Sequence, residues 1–578
     1  MSKTDRKGQT IGYTYDALNR LTRKQYPDST GVSYTYDALS RLTQVTDPTG
    51  TYGFTYDNLS RLLGTGTQYA FLLEGTLTLG YSYDAASNRL SLTNPQGGVT
   101  NYAYDSLNRL TGITDFAGRV FGFSYDALGR RTALTRPNGV NTTYNYDPLS
   151  RLLSVLHQAG SVTLDGVAYA YDAAGNRTAK TVLPAGLTST YAYDPTYQLT
   201  RVTRSSDAKI TERYTYDAVD NRLYQPGAPY TYNESNQMTS REGVPYTYDA
   251  NGNTTSKTNR DGTTSYAWDF ENRLTSVTKP DGTVVSFQYD PFGRRIRKSS
   301  PTGTTIYVYD GDNINEELNA SGNLGERYTQ GPGIDEPLVG QRQPLIFYYE
   351  ADGLGSITSL TNPDGTVAAT YTYESFGFLR ESTGSATNWF RYTARQFDSS
   401  TALYYYRARY YDPMTGRFLS EDPIGTSGAL DLYLYVSNNP VNRVDAFGLK
   451  ESKPRPPEPN PNAAYYICRK KEKPAICERN PATDPWIKQC QEEHERQHIR
   501  DIEKGCVPGL GSNPCRGAAN GVPVLVNLAQ SAFLECRGYC EQLKCLRRVF
   551  QSSAVRSTEE QVQKQIGKYC GAAGCDAK

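Results

Sequence analysis

Short runs of alternating apolar and polar residues fill the first 449 positions of the chain, and turn residues close each run. In the stretch from Leu274 to Tyr289, LTSVTKPDGTVVSFQY, Thr and Val alternate with other residues on both sides of Pro280-Asp281-Gly282. Alternation with a period of two predicts strands, and a Pro-Asp-Gly turn between two such runs predicts that they pair as a hairpin. The pattern therefore predicts a chain of β-hairpins.

A Tyr-Asp pair recurs through this region, mostly in steps of 20 to 23 residues, with 16 and 27 as the extremes. Trp268-Asp269 and Tyr232-Asn233 fill two gaps in the series. The aspartates of the Tyr-Asp pairs are Asp16, Asp37, Asp57, Asp84, Asp105, Asp126, Asp147, Asp172, Asp194, Asp217, Asp249, Asp290 and Asp310. A period of this length is typical of stacked repeats.

Within each repeat, we expect the tyrosines and the aspartate to have different structural roles. Tyr13 and Tyr15, for example, are two residues apart and share one face of a strand. The aspartate that follows can accept backbone N–H groups of the next turn. Because one hairpin alone is barely stable, we expect neighbouring units to bury the aromatic faces. A glycan-binding aromatic surface is the alternative interpretation of the tyrosines.

The composition of the chain changes at Leu449–Lys450. All ten cysteines, two of the three histidines and only four of the 48 tyrosines follow this point. Residues 450–578 contain 21 Lys+Arg and 15 Asp+Glu, a net charge of +6, and residues 1–449 contain 40 and 45, a net charge of −5. The sum of +1 excludes strong bulk attraction to nucleic acid or to a membrane. We therefore predict no nucleic-acid partner.

The two ends of the chain predict an unusual destination. The start, MSKTDRKGQT, has no apolar core and is not a Sec signal, and no run of about 18 apolar residues predicts a membrane span. Ten cysteines within the last 129 residues indicate disulfides and an oxidising compartment. We therefore expect secretion by a specialised route, with action in or on a target cell.

The region from Gly12 to Leu449 resembles the RHS/YD-repeat family. Beyond the repeats, the segments YYEADGLGS, YTYESFG, RYTARQFDSSTALYYYRARYYDPMTGRFLSEDPIG and LYLYVSNNPVNRVDAFGL are similar to the RHS-associated core. The resemblance implies a mainly β fold in which the hairpin sheet spirals as a partial shell. It divides the chain into repeats at 1–345 and a core at 346–449.

The resemblance also implies a self-cleavage site of the aspartyl-protease type at the end of the core. Asp422-Pro423-Ile424-Gly425 and the pentapeptide DAFGL at 445–449 match the two halves of the family motif, and Arg409 matches its arginine. Asp422 and Asp445 would share a proton and cut after Leu449. Ala446 departs from the usual proline. The alternative is that both aspartates only cap turns, and Arg417 is the alternative arginine.

After the core, residues 450–462, KESKPRPPEPNPN, form a proline-rich linker that favours extended polyproline II. The segment 463–578 then contains the pentapeptide HERQH at 494–498, within a stretch of helical composition. His494 and His498 are four apart, so they project from one helix face and can bind one Zn²⁺. Glu495 can reach the metal-bound water as general base. The alternative is a solvated, charged helix face.

A second predicted helix at 524–550 offers the remaining groups of such a site. Glu535 and Tyr539 are four apart on one face; we predict Glu535 as the third zinc ligand and Tyr539 as a transition-state donor. This small α-helical domain resembles short zincin metallopeptidase domains found as toxin tips. The even number of cysteines fits up to five disulfides, with a thiolate zinc cluster or a cysteine nucleophile as alternatives. The cysteines are Cys468, Cys477, Cys490, Cys506, Cys515, Cys536, Cys540, Cys545, Cys570 and Cys575.

Together these features predict an RHS-family toxin whose C-terminal tip is a zinc-dependent peptide hydrolase released by cleavage after Leu449. The resemblance implies a cognate immunity protein, a target-cell protein or peptide as substrate, and a component of a secretion apparatus as partners. Two other functions stay open. One is a non-catalytic cell-surface binding or adhesion protein, and the other is a toxin tip with nuclease activity.

Overall fold

The structure is a computed structural model that describes residues 1–449 except 74, 207–208, 226 and 426–430. The predictions for the linker, the zinc site and the cysteines fall on 450–578 and lie outside the described residues. Within the described part, 42 strands and two short 3₁₀ turns make up the regular structure. The predicted mainly β fold is thus confirmed for this part of the chain. None of its helices is long and apolar enough to cross a membrane.

The first sheet has 20 strands, and each strand pairs antiparallel with the next along the chain. Strands β1 to β20 are Ser2–Thr4, Thr10–Tyr15, Leu21–Gln25, Gly31–Tyr36, Leu42–Asp47, Gly50–Tyr56, Leu62–Tyr69, Leu77–Tyr83, Arg89–Thr93, Val99–Tyr104, Leu110–Thr114, Val120–Tyr125, Arg131–Thr135, Val140–Tyr146, Leu152–Ala159, Val162–Tyr171, Arg177–Leu183, Leu187–Tyr193, Leu199–Arg204 and Lys209–Arg213.

The second sheet has 18 strands in the same antiparallel order. Strands β21 to β38 are Thr215–Tyr216, Arg222–Gln225, Ala228–Tyr232, Met238–Arg241, Val244–Tyr248, Thr254–Asn259, Gly262–Trp268, Leu274–Thr278, Val284–Tyr289, Arg295–Ser300, Gly303–Asp310, Asn313–Asn319, Leu324–Gln330, Pro337–Arg342, Leu345–Ala351, Ile357–Thr361, Val367–Tyr373 and Leu379–Gly384. The hairpin predicted between Leu274 and Tyr289 is the β28–β29 pair, closed by a Gly282 N–H bond to the Lys279 carbonyl.

A third sheet of four short strands follows, together with the two 3₁₀ turns. Strands β39 to β42 are Gln396–Asp398, Leu403–Tyr406, Arg409–Asp412 and Arg417–Phe418, and the turns are Tyr392–Ala394 and Val436–Asn438. The small sheet is antiparallel throughout.

Most repeat aspartates organise their turns through both carboxylate oxygens, whereas Asp310 instead accepts the Tyr81 hydroxyl and Arg89. At Asp147, Oδ1 accepts the backbone N–H of Leu149 at 2.9 Å and of Arg151 at 2.8 Å, and Oδ2 accepts Arg151 Nε at 2.6 Å. The Ser150 N–H closes the turn on the Asp147 carbonyl at 2.9 Å. Bonds to a charged carboxylate are stronger than neutral ones, so this turn is well fixed. The predicted role of the repeat aspartate is confirmed at turns of this kind.

The arginine of one repeat also binds the next repeat. Arg151 donates to the Asp172 carbonyl at 2.9 Å, and its guanidinium carbon lies 5.1 Å from the centre of the Tyr171 ring. Tyr171 in turn donates its hydroxyl to the Leu152 carbonyl at 2.6 Å. Tyr171, the second tyrosine of its unit, therefore joins neighbouring units.

The two large sheets pack against each other through apolar clusters. Val32 and Val45 of the first sheet share a buried cluster with Ile296 and Ile306 of the second. Farther along, the first-sheet Phe121 belongs to a cluster with residues of β34 and β35. Burial of such side chains contributes about 1.5–3 kcal/mol each.

The small sheet is covered on both of its faces. Tyr404 and Tyr406 belong to a cluster that includes Leu199 of the first sheet, whereas Tyr405 belongs to a cluster with Phe287 of the second. Strands buried on both faces read as continuous apolar runs instead of alternating ones, which explains the sequence LYYY. This placement buries β41, and with it Arg409.

Candidate functional site

Arg409 lies at the start of β41 and is 3% exposed. Its guanidinium stacks on the Phe418 ring, 3.7 Å from the centroid. Nη2 donates to Asp422 Oδ2 at 2.9 Å and lies 3.6 Å from Asp445 Oδ2. The structure thus brings together the three residues that the sequence singled out, with one guanidinium between two carboxylates.

The other two donor positions of Arg409 bind backbone carbonyls. Nη1 donates to Leu432 at 2.9 Å, and Nε donates to Gly448 at 2.5 Å. The Gly448 contact is the informative one, because Gly448 immediately precedes Leu449. The arginine therefore binds the two carboxylates and the chain segment next to the predicted cleavage point at the same time.

Asp422 sits in a tight turn after β42. Its Oδ1 accepts the Ile424 N–H at 3.0 Å, and its carbonyl accepts the Gly425 N–H at 2.9 Å. Its own N–H donates to the Leu432 carbonyl at 3.0 Å. These bonds leave Oδ2 directed at Arg409.

Asp445 opens a second turn that ends at Leu449. Its Oδ1 accepts the Leu449 N–H at 3.1 Å. Gly448 has φ of +68°, a left-handed conformation that glycine adopts without strain. A side chain there would also collide with the Tyr406 carbonyl oxygen. Glycine is therefore required at 448 for both reasons.

Burial dominates the protonation behaviour of the site. It raises the pKa of Asp422, an effect that Arg409 opposes and Asp445 reinforces. Burial likewise raises the pKa of Asp445 against the influence of Arg409 and of the backbone N–H groups of the turn. Two carboxylates in one site resist being ionised together. The arrangement favours one ionised and one protonated carboxyl group, as acid–base hydrolysis requires.

The alternative arginine has a different partner. Arg417 makes a two-point ion pair with Asp431, at 2.8 and 3.0 Å. Arg409, not Arg417, contacts the paired aspartates.

Two residues next to this site escaped the sequence reasoning. Arg407 donates to the Ala446 carbonyl and to both carboxylate oxygens of Asp335, at 2.7 and 2.9 Å. Its position in the RARYYD motif was a usable signal, since it is a second arginine only two residues before Arg409. Asp335 carried no signal, because it is 72 residues away in the chain.

The predicted zinc site is not among the described residues. His494, Glu495, His498, Glu535 and Tyr539 all lie in 450–578. Within the part of the chain that the structure describes, no group of three or more His, Cys, Asp or Glu residues could hold a metal ion. The zinc site stays a prediction.

Comparison with known families agrees with this architecture. Residues 171–441 match the family described as the teneurin YD-shell. Residues 1–30, 27–52, 36–70, 83–120 and 125–163 match the RHS repeat. The two family models together match most of the first 441 residues, and the predicted resemblance to the RHS/YD-repeat shell family is confirmed for this region.

Individual relatives include proteins named as a nuclease and as a deaminase toxin. The tRNA nuclease WapA of Bacillus subtilis is 31% identical over 419 residues, which are 70% of this chain and 16% of that protein. The double-stranded DNA deaminase toxin A of Burkholderia cenocepacia is 36% identical over 117 residues, 19% of this chain and 8% of that protein. This chain thus spans a small fraction of either relative.

Solved structures show the same fold. The crystal structure of TcdB2-TccC3 superposes with a TM-score of 0.66 at 20% identity, covering 78% of this chain and 27% of that one. At this identity the likeness establishes the YD-shell fold alone.

Proposed function

We propose that this protein is an RHS-family toxin that cuts its own chain after Leu449 and so frees residues 450–578 as the effector. The observation that carries the proposal is the position of Arg409, which binds Asp422, lies beside Asp445 and holds the Gly448 carbonyl. Turn capping alone needs neither an arginine shared by two aspartates nor a contact to the residue before Leu449.

The geometry favours distinct roles for the two carboxyl groups. Asp422 has the shorter contact to Arg409 and would be the ionised base that takes a proton from water. That water would attack the Leu449 carbonyl carbon. Asp445 is more deeply buried, which favours its protonated form, and it would give its proton to the Lys450 nitrogen as the C–N bond breaks. The products are a carboxylate at Leu449 and an amine at Lys450.

Purified chain resolved by gel electrophoresis and mass analysis tests this directly. We expect wild type to yield a fragment that begins at Lys450, and Asp445→Asn and Asp422→Asn to stay intact. Asp147→Asn is the matched control, because Asp147 makes the same turn bonds without a shared arginine. An intact wild-type chain, or a cleaved Asp445→Asn chain, would refute self-cleavage.

For the freed segment, action on nucleic acid is the better supported class. WapA is named a tRNA nuclease, and a second relative is named a DNA deaminase toxin. The net charge of +6 on 450–578 is compatible with a phosphate-rich substrate. In this case nucleic acid is the substrate, contrary to the expectation from the charge of the whole chain.

Zinc-dependent peptide hydrolysis is the second candidate and rests on the HERQH motif. His494, His498 and Glu535 would hold Zn²⁺, and Glu495 would be the base. Metal analysis of the full chain distinguishes the candidates. About one zinc per chain that is lost in His494→Ala, together with peptide cleavage, supports the peptidase. RNA or DNA modification that persists in His494→Ala rules it out.

Partners follow from the toxin assignment. A cognate immunity protein would protect the producing cell, and a secretion apparatus would export the chain. Co-purification of the wild-type chain with the product of a neighbouring gene is the test for the immunity protein.

A further inference from the structure

Arg407 is held in an unusual backbone conformation beside the cleavage segment. It lies in the turn between β40 and β41 with φ of +56°. A left-handed conformation is uncommon for a long side chain and persists only where the surroundings enforce it. The contacts of the Arg407 side chain show what enforces it here.

The guanidinium of Arg407 joins the second sheet to the segment that precedes Leu449. On one side it pairs with Asp335 and donates to the Asp312 carbonyl at 3.0 Å. Asp335 is also bound by Arg395 at 2.5 Å, so the anchor is itself fixed. On the other side Arg407 donates to the Ala446 carbonyl and lies 5.2 Å from the Phe447 ring centre.

Three consecutive residues thereby bind three consecutive carbonyls. Arg407 donates to Ala446, the backbone N–H of Ala408 donates to Phe447 at 3.1 Å, and Arg409 donates to Gly448. The next carbonyl along the chain belongs to Leu449, the group that the proposed reaction attacks. The 407–409 segment therefore fixes the approach of the chain to the two carboxylates.

We propose that Arg407 is a positioning residue for self-cleavage, and that Asp335 holds it in place. This inference rests on the proposed self-cleavage after Leu449. Arg407 acts through the Ala446 carbonyl, and its polar contacts fall on Asp335, Asp312 and Ala446, not on Asp422 or Asp445. Its loss should misplace the scissile bond and leave the acid–base chemistry unchanged.

The test measures the rate of cleavage in full-length chain made by pulse-labelled cell-free translation, across a range of pH. We expect Arg407→Met to be about 100-fold slower, the effect of a displacement of about 1 Å in a reacting group. Arg407→Lys keeps one charged donor and should be intermediate. The pH limits of the rate should stay where they are in wild type.

Arg327→Met is the matched control. Arg327 is a buried arginine of β33 that pairs with Glu316 at 2.7 Å, and its side-chain hydrogen bonds go to Glu316 and Gln96 and not to the 445–449 segment. It should cleave at the wild-type rate. An equal slowing in Arg327→Met would overturn the inference, because it would show a general response to the loss of a buried ion pair.

Two further outcomes separate this inference from the proposed function. If Arg407→Met cleaves at the wild-type rate while Asp445→Asn stays uncleaved, the positioning role is overturned and self-cleavage stands. The same conclusion follows if the pH limits of the rate shift in Arg407→Met. A wild-type chain that stays intact at every pH would instead refute self-cleavage itself.

Asp335→Asn serves where Arg407→Met yields no protease-resistant shell. Asp335→Asn preserves the side-chain shape and replaces the ion pair with Arg407 by weaker neutral hydrogen bonds, so we expect cleavage to be about tenfold slower. A wild-type rate in this variant would overturn the inference.

Discussion

Substitution of Gly448 by alanine separates the packing of the cleavage segment from the ordinary properties of its turn. Gly425 and Gly448 occupy equivalent positions in the two halves of the motif, three residues after Asp422 and Asp445, with φ of +67° and +68°. An added Cβ at Gly425 meets nothing within 4 Å. At Gly448 the added Cβ would collide with the Tyr406 carbonyl oxygen and lie 3.2 Å from the backbone nitrogen of Arg409. Gly425→Ala and Gly448→Ala thus share the energetic cost of a left-handed backbone, and only Gly448→Ala adds a steric clash.

The shared cost is the left-handed backbone, about 1–2 kcal/mol for alanine. If all of this free energy were added to the activation barrier, cleavage would be slowed by about tenfold. The second cost applies to Gly448→Ala alone. Carbon atoms need about 3.5 Å to their neighbours, so the segment must move by about 1 Å away from the backbone of Tyr406. A displacement of this size in a reacting group costs a further factor of about 100.

Pulse-labelled translation of the full chain, followed on gels, measures both rates. We expect Gly448→Ala to be about 100-fold slower than Gly425→Ala, while both chains keep a protease-resistant shell. Equal rates in the two variants would refute the reasoning, since the segment would then not depend on its contact with the 406–409 turn.

Three other predictions follow from protonation and metal binding. Burial raises the pKa of Asp422 and Asp445. The cleavage rate should therefore have a bell-shaped pH profile whose alkaline limb, which reports loss of the proton from the general acid, lies above about pH 3.9, the usual pKa of aspartate. A rate that rises steadily with pH would contradict this. Burial and the nearby Glu326 raise the pKa of Glu317 to about 7. The folded-state pKa of Glu317 thus exceeds its unfolded value, so the stability of the folded chain falls as pH rises from about 4.5 to 7. In thermal unfolding, Glu317→Gln should therefore be more stable than wild type by on the order of 3 kcal/mol at about pH 8 and no more stable than wild type at about pH 4. If the effector is a zinc hydrolase, a chelator should abolish its activity and added Zn²⁺ should restore it, with His494→Ala inactive under both conditions.

The sequence predicts the hairpin units well because their information is local. The alternation around Pro280-Asp281-Gly282 leads directly to β28 and β29, and the repeat aspartates bind the N–H groups expected of them. The family motif also predicts that Arg409, Asp422 and Asp445 meet.

The contacts that depend on tertiary structure could not be predicted in this way. Asp335 reaches Arg407 only because the second sheet packs against the small sheet. Likewise, Tyr404 and Tyr405 lie on opposite faces that are both buried, so the sequence there has no alternation to interpret. The break between the first and second sheets at residues 213–215 also has no marker in the repeat period.

The repeat turn itself explains how the candidate site is built. In an ordinary unit, Asp126 binds the Leu128 N–H through Oδ1, and its Oδ2 is neutralised by Arg130, four residues later, at 2.6 Å. Asp422 forms the same turn, with its Oδ1 on the Ile424 N–H. The sequence places Thr, not Arg, four residues after Asp422. Its second oxygen is therefore available to an arginine from elsewhere.

Asp445 shows the same substitution. Its Oδ1 accepts the N–H four residues later, as in the repeats, but that residue is Leu449 and has no charge to offer. One arginine, Arg409, then serves two aspartates that would each have had their own. A shared counter-charge cannot fully stabilise both anions in a buried site, so a proton stays with the pair. The candidate acid–base pair thus differs from two turns of the Asp126 kind in lacking the two local arginines and in having one shared arginine.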